Sequence, residues 1–443
     1  MMKLKREEYA QRRASFMAQM EPNSIAVLPA ALPKIRNRDA DYAYRQDSDF
    51  YYLSGFAEPE SVVVLIPGRE EGEYILFCRD RDPAKEVWDG YRAGPEGACS
   101  EFGVDDAFTI DKLDDILSGL MDGRERLYFT LGHNESFDHR IMSGIKTLRA
   151  KARTGAAPPS EIVDCDHLLH EMRLFKSPSE MAVMKRAAEI SALAHVRAME
   201  KCRPGMMEYQ LEAEFFHDFM RQGSRHPAYT TIVGGGENGC ILHYVENDDV
   251  LKDGDLVLID AGCELDHYAA DITRTFPVNG RFSPEQKAIY QLVLDAQLAA
   301  LSKVTLSNHW NEPHEAVIEV VINGLHELGI LSGDLSKLIE ADAHAPFYMH
   351  RAGHWLGMDV HDVGNYKIDG QWRSFEPGMV LTIEPGIYIA KDNMDVDEKW
   401  RGIGIRIEDD ILVTKDGYEV LTAQAPKTIE EIESLMAKAA ASH

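Results

Sequence analysis

A chain of 443 residues is too long for one ordinary core, and at ~100–200 residues per domain it calls for two or three. Hydrophobic residues (44%) and aromatics (9%) supply enough apolar surface for such cores and argue against disorder. With 47 Lys and Arg against 74 Asp and Glu, the formal charge of −27 excludes nucleic acid or an anionic membrane as main partner. Either would need a cationic face, whereas a cationic ligand stays possible.

The first twenty residues are rich in Lys, Arg and Glu and lack the apolar stretch of a secretory signal. Apolar runs at 24–28, 61–66, 74–78 and 126–130 read as buried strands, the first two stopped by Pro29 and by Pro67-Gly68. Helical segments at 111–120 and 135–150 suggest crossovers on a mixed or parallel sheet. The small, Gly/Pro-bearing stretch 153–159 suits a linker or loop. Ser177-Pro178-Ser179-Glu180 carries the signals of a helix start: an N-cap serine, proline at the first position and a glutamate that closes a capping box. The spacing predicts a helix over 178–201, ending before Pro204-Gly205. The domain boundary is therefore set near 175, giving an α/β domain over 1–175 and a second domain over 176–443. Further helices are expected at 208–222, 284–303, 313–329 and 427–440, with strands at 255–261, 268–275, 379–384 and 403–408. Their irregular interleaving reads as α+β. No run approaches the ~18 apolar residues of a membrane span. Six scattered cysteines without a CxxC read as reduced thiols in a cytoplasmic protein.

The strand 255–261 delivers Asp260, and the next strand delivers Asp271. If the loop centre falls between Leu265 and Asp266, these two aspartates stand directly opposite each other on one face. Two carboxylates so close disfavour double ionisation unless a cation lies between them. Taken alone, the pair could equally end a solvated hairpin. His350, His354 and His361 crowd one short segment. Gly353 and Gly357 disfavour a helix there, so a loop with close backbone approach is expected. One imidazole suits a metal, and the others could donate to a substrate carbonyl or take protons. Glu384 follows an apolar run just before Pro385-Gly386. Arg406 and Glu408 share one face of a strand of period two, an arrangement that also fits a plain ion pair. Together Asp260, Asp271, His354, Glu384 and Glu408 hold too many carboxylates for a closed Cys/His zinc site. They suit two metal ions, with Mn²⁺ favoured by the oxygen-rich set.

These five residues, in the contexts IDAG, DITRTF, GHWLGMDVHD, TIEPGIY and GIRIEDD, resemble the pita-bread metallopeptidases. Within that family the likeness runs to the bacterial aminopeptidase P (Xaa-Pro aminopeptidase) branch. It extends to residues 44–56, 170–178 and 239–244, and departs from the family at Arg351-Ala352, which bears on pocket shape. The resemblance implies a pita-bread domain preceded by a smaller α/β domain that serves oligomerisation and substrate access. It implies that Asp260 chelates one metal, that His354 and Glu384 bind the other, and that Asp271 and Glu408 bridge both. Glu384 would accept the proton of a metal-bridging water. His243 and His361 would contact the scissile carbonyl and tetrahedral intermediate, and His350 and Arg406 would complete the pocket. Tyr229 and Tyr388 would line it. Trp88 would help close a neighbouring subunit's site in a tetramer. The implied substrates are peptides with proline second. Prolidase, restricted to Xaa-Pro dipeptides, is the alternative.

Overall fold

A computed structural model describes residues 4–441; the outermost residues of the two domain ranges given above lie outside it. The chain divides into two compact units, one spanning Leu4–Met172 and the other beginning at Arg173.

The first unit is built on a six-stranded mixed sheet. Its order is Asp106–Thr109, Tyr74–Cys78, Val62–Leu65, Ser24–Pro29, Arg126–Tyr128 and Glu161–Val163. Ser24–Pro29 pairs antiparallel with Val62–Leu65 and parallel with Arg126–Tyr128. The strand runs are apolar because they are covered. Ile25, Val27, Val64, Phe77 and Leu127 pack against Leu113, Leu117 and Met121 of helix Leu113–Met121, and against Phe137, Ile141, Ile145 and Leu148 of helix Glu135–Ala150. Those helical positions recur at three- and four-residue steps, the stripe a sheet-packed helix requires. The stretch 153–159 lies inside this unit. It leads into the edge strand Glu161–Val163, which pairs with Arg126–Tyr128, so it does not join the units.

The second unit opens on helix Pro178–Lys201. The Ser177 hydroxyl accepts from the Glu180 amide at 3.3 Å and the Glu180 carboxylate accepts from the Ser177 amide at 2.9 Å, completing the capping box. Helices Glu208–Arg221, Pro284–Ser302, Glu312–Glu327 and Ile429–Ala441 follow within two residues of the expected bounds. Three small antiparallel groups of strands present the functional segments. Leu256–Asp260 lies between Ile232–Gly235 and Thr273–Pro277; Gly386–Ile389 pairs with Ile403–Arg406; Val380–Ile383 pairs with Asp409–Thr414.

The hairpin register differs from expectation. Asp260 stands opposite Thr273, not Asp271. The turn is centred on Asp266 and His267, with φ of 48° and 68°, the paired left-handed conformation of a type I′ turn. That centre slides the pairing by two residues and preserves facing. The second strand is also broken. Tyr268–Ala269 and Thr273–Pro277 are separate strands, and Asp271 sits in the irregular step between them, where its amide donates to both Asp410 carboxylate oxygens at 3.2 Å.

Candidate metal centre

Asp260 ends one strand, Glu384 follows Val380–Ile383, and Arg406 and Glu408 flank the end of Ile403–Arg406. His354 lies on a loop laced to the strand Val380–Ile383. Its amide donates to Thr382 Oγ1 at 3.1 Å, and the Thr382 amide donates to its carbonyl at 2.9 Å. Gly353 makes this possible: a Cβ there would lie 1.9 Å from the Thr382 carbonyl oxygen. The loop is non-helical, as the glycines require. Gly357 approaches protein closely in the same way, since a Cβ there would meet the Asp362 carboxylate at 2.0 Å.

These segments converge on one cavity of about 790 Å³. Asp260, Asp271, His354, Glu384 and Glu408 all line it, with His243, His350, His361, Tyr229 and Arg406. Ligand atoms of Asp271, His354 and Glu408 lie within 4.8 Å of one another. His354 Nε2 is 3.4 Å from Asp271 Oδ2 and 3.6 Å from Glu384 Oε1. Its Nδ1 lies 2.9 Å from the Trp355 carbonyl oxygen, so that nitrogen carries the proton. In the neutral ring the Nε2 lone pair then faces the carboxylates, the orientation a metal-bound imidazole needs.

The donors fit divalent metal. The Tyr229 hydroxyl lies 2.6 Å from Asp260 Oδ1 and 2.5 Å from Asp271 Oδ1. It has one proton, so it can donate to one of these oxygens at a time. Burial, then the neighbouring carboxylates, push Glu408 well up; burial and the Asp260 charge raise Asp271. Burial raises Glu384 to about 7, against the pull of His354 and Arg406. Burial opposes charge on His354, but its contacts with Asp271 and Glu384 outweigh it and raise the ring to about 9. A cation in this cluster would release those protons, because ligands bind metal in their deprotonated forms.

Arg406 organises the remaining groups. Its guanidinium donates to Asp260 Oδ2 at 2.7 Å, to the Tyr388 hydroxyl at 3.0 Å and to Thr273 Oγ1 at 3.0 Å. The Thr273 hydroxyl in turn donates to Glu408 Oε2 at 2.7 Å. The Tyr388 hydroxyl lies 2.9 Å from His350 Nε2, while His350 Nδ1 lies 2.8 Å from the Arg351 carbonyl oxygen. That fixes the His350 tautomer with its proton on Nδ1. His243 and His361 are exposed at the cavity rim, the His361 ring centroid 4.4 Å from that of His354. Burial and then the His354 and His243 charges lower His361.

Two sequence-derived residues are absent from the cavity lining: Tyr388, expected to line it, is buried with its hydroxyl held by Arg406 and His350, and Trp88 belongs to the first unit, on helix Pro83–Asp89, and is 86% exposed. Sequence reasoning missed Thr273, which shares strand parity with Asp271. It also missed the walls contributed by Trp310, Tyr366 and Trp372. The threonine was findable from parity; the aromatic walls carry no local signal.

A buried nest of carboxylates around one imidazole, opening onto an apolar-walled cavity, defines a metal-dependent hydrolase. The profile of metallopeptidase family M24 matches residues 182–415, and that of the aminopeptidase P N-terminal domain matches residues 9–128. The chain belongs to metallopeptidase family M24, with a pita-bread catalytic domain behind an aminopeptidase P-type N-terminal domain. It is 49% identical to the Xaa-Pro aminopeptidase of Escherichia coli K12 over 440 residues, 99% of each chain. It is 34% identical to human Xaa-Pro aminopeptidase 3, over 98% of this chain and 87% of that one. The structure of Pseudomonas aeruginosa aminopeptidase PepP matches with a TM-score of 0.99 at 61% identity, covering 100% of both chains. Zinc-substituted E. coli aminopeptidase P in complex with product matches at 0.96 and 49%, covering 99% of each.

Proposed function

We propose that this metallopeptidase is an Xaa-Pro aminopeptidase, releasing the first residue of peptides whose second residue is proline. The observation that carries the reading is the meeting of Asp260, Asp271, Glu384 and Glu408 around His354 in a cavity with apolar walls. Full-length likeness to Xaa-Pro aminopeptidases supports it.

Asp260 would hold one divalent ion, His354 and Glu384 a second, with Asp271 and Glu408 shared; the oxygen-rich set suits Mn²⁺. When bound, such a pair acidifies water and polarises a peptide carbonyl. The chain's own groups do the rest. A Glu384 carboxylate oxygen takes the proton of the attacking water. His243 and His361, at the rim, donate to the carbonyl oxygen as it gains charge. Arg406 orients Tyr388 and, through it, His350, which positions the substrate. Leu242, Val245, Val360 and Tyr366 offer the pyrrolidine ring an apolar slot that excludes water. An Xaa-Pro bond has no N–H, so recognition must come from ring shape and the free amine rather than from a backbone donor.

Residues 1–175 serve oligomerisation and access, and 176–443 serve catalysis. Trp88, with Val87 at 82% and Tyr91 at 91% exposure, forms an apolar face suited to a neighbouring subunit of a tetramer. The six free cysteines suit a reducing, cytoplasmic setting. Among the described residues no helix is long and apolar enough to cross a membrane.

Chelation should abolish hydrolysis of an Xaa-Pro-Yaa peptide, and Mn²⁺ should restore it best. Asp260→Asn should lose most activity and weaken metal occupancy while keeping its helical circular dichroism. Full turnover by protein that elemental analysis finds metal-free would overturn the reading.

A further inference from the structure

Residues 44–56 and 170–178 belong to the aminopeptidase P likeness, yet nothing in the hydrolytic site uses Asp49 or His170. They meet in the first unit. Asp49 lies on helix Ser48–Ser54, and His170 on helix Asp166–Leu174, one turn after Asp166 and so on the same face. His170 Nε2 is 3.3 Å from Asp49 Oδ2 and 3.9 Å from Asp166 Oδ1. Ligand atoms of all three residues lie within 4.8 Å of one another. Around a tetrahedral ion with bonds of about 2.0–2.2 Å, ligand atoms stand roughly 3.3–3.6 Å apart, so small side-chain movements close this set on a cation.

Three independent features support the geometry. The Thr130 hydroxyl lies 2.6 Å from Asp166 Oδ1 and 3.1 Å from Asp164 Oδ1, fixing the Asp166 side chain from outside, as groups beyond a metal's own ligands do. Asp49, Asp166 and His133 line a cavity of about 480 Å³, which gives an ion entry and space for a water or exogenous ligand. The buried Cys165 thiol lining the same cavity is pushed well up by burial and then by the charges of Asp166, Asp49 and Asp164, so these carboxylates concentrate negative potential there.

We propose that Asp49, Asp166 and His170 bind a divalent cation of the zinc class, with the fourth position left to a water or exogenous ligand from the cavity. The site shares no residue with the hydrolytic centre. Two carboxylates with one imidazole and an open position match the borderline donors such ions take.

The test is equilibrium dialysis of the full chain against Zn²⁺, with metal per chain measured by elemental analysis, for wild type and Asp166→Asn, His170→Gln and Asp49→Asn. Each variant should hold one equivalent less than wild type at a Zn²⁺ concentration that saturates the latter. Co²⁺ in place of Zn²⁺ should give wild type a tetrahedral d–d absorption component that the variants lack. Because the result is a difference from wild type, it does not depend on how many ions the hydrolytic centre holds. Three variants guard against one failing to fold. Equal stoichiometry and spectra in wild type and every folded variant would overturn the proposal and leave His170 as an ion-paired imidazole.

Discussion

Asp362→Asn should strip the charge that pins the histidine loop. Asp362 Oδ2 accepts from Lys176 Nζ at 2.9 Å and Oδ1 from Arg173 Nη2 at 2.6 Å; the three side chains are 1–2% exposed. The Asp362 amide also donates to the Trp355 carbonyl at 2.9 Å, so this residue closes the loop that carries His354 and His361. At an effective dielectric of about 20, unit charges 2.9 Å apart interact by about 6 kcal/mol, part of which offsets the cost of burying the carboxylate. Removing the anion leaves the buried Lys176 ammonium facing an amide, while Arg173 keeps Asp359 Oδ2 at 2.7 Å. The expected cost is about 3–5 kcal/mol, the range for breaking one side of a buried pair. That corresponds to a fall of roughly 6–10 °C in Tm for a unit of this size. Burial alone would raise the Asp362 carboxyl, but Lys176 and Arg173 outweigh it and hold it below its ordinary 3.8. A depressed folded value means the contribution is complete above about pH 4 and lost as pH falls through the folded value. Thermal melting of wild type and variant from pH 7 down to 3 should show the gap at pH 7 narrowing in acid. A variant within about 1 kcal/mol of wild type at pH 7, or a gap constant with pH, would mean that the Asp362 charge does not hold this loop.

His361→Ala should lower kcat by roughly 10²-fold or more, the scale of one lost oxyanion donor. Metal content should be unchanged, and loss of an equivalent would make His361 a ligand instead. Gly353→Ala should not assemble normally, because its Cβ would lie 1.9 Å from the Thr382 carbonyl oxygen; a soluble variant with wild-type melting would contradict that packing. Thr273→Val removes the hydroxyl shared by Glu408 and Arg406 and should cost about 1–3 kcal/mol by melting, the penalty for unpartnered buried polar atoms. No loss would mean those two groups find other partners.

Local signals were legible wherever their cause was local. The Ser177 and Glu180 cap located a 24-residue helix at both ends, because cap chemistry and Pro204 are written in adjacent residues. The carboxylates at strand ends were legible because an apolar run must stop where its charge begins. The register of Asp260 was not: it depends on Asp266 and His267 adopting left-handed conformations that neither residue type demands. The break around Asp271 is imposed by Asp410 from a strand far along the chain. The support of the Glu408 segment is equally non-local: the Arg274 guanidinium reaches Asp409 at 2.7 Å, and Lys427 reaches the other Asp409 oxygen at 2.7 Å. The stretch 153–159 resembled a linker because small residues and prolines mark any exposed turn. Its place before an edge strand comes from the pairing of Glu161–Val163.

Substrate length separates an Xaa-Pro aminopeptidase from a prolidase. Leading and alternative readings share the free amine, the second-position proline and the carboxylate–histidine centre, and differ in what may follow the proline. A site closed beyond the proline ring, with a cation for the terminal carboxylate, would leave that cation unpaired against a longer peptide, at a cost of several kcal/mol. The measurement is kcat/KM for matched Xaa-Pro and Xaa-Pro-Yaa peptides at saturating Mn²⁺. Cleavage of Xaa-Pro-Yaa after the first residue, with kcat/KM at least comparable to the dipeptide, is the predicted result. Strict preference for the dipeptide would contradict it and make the enzyme a prolidase.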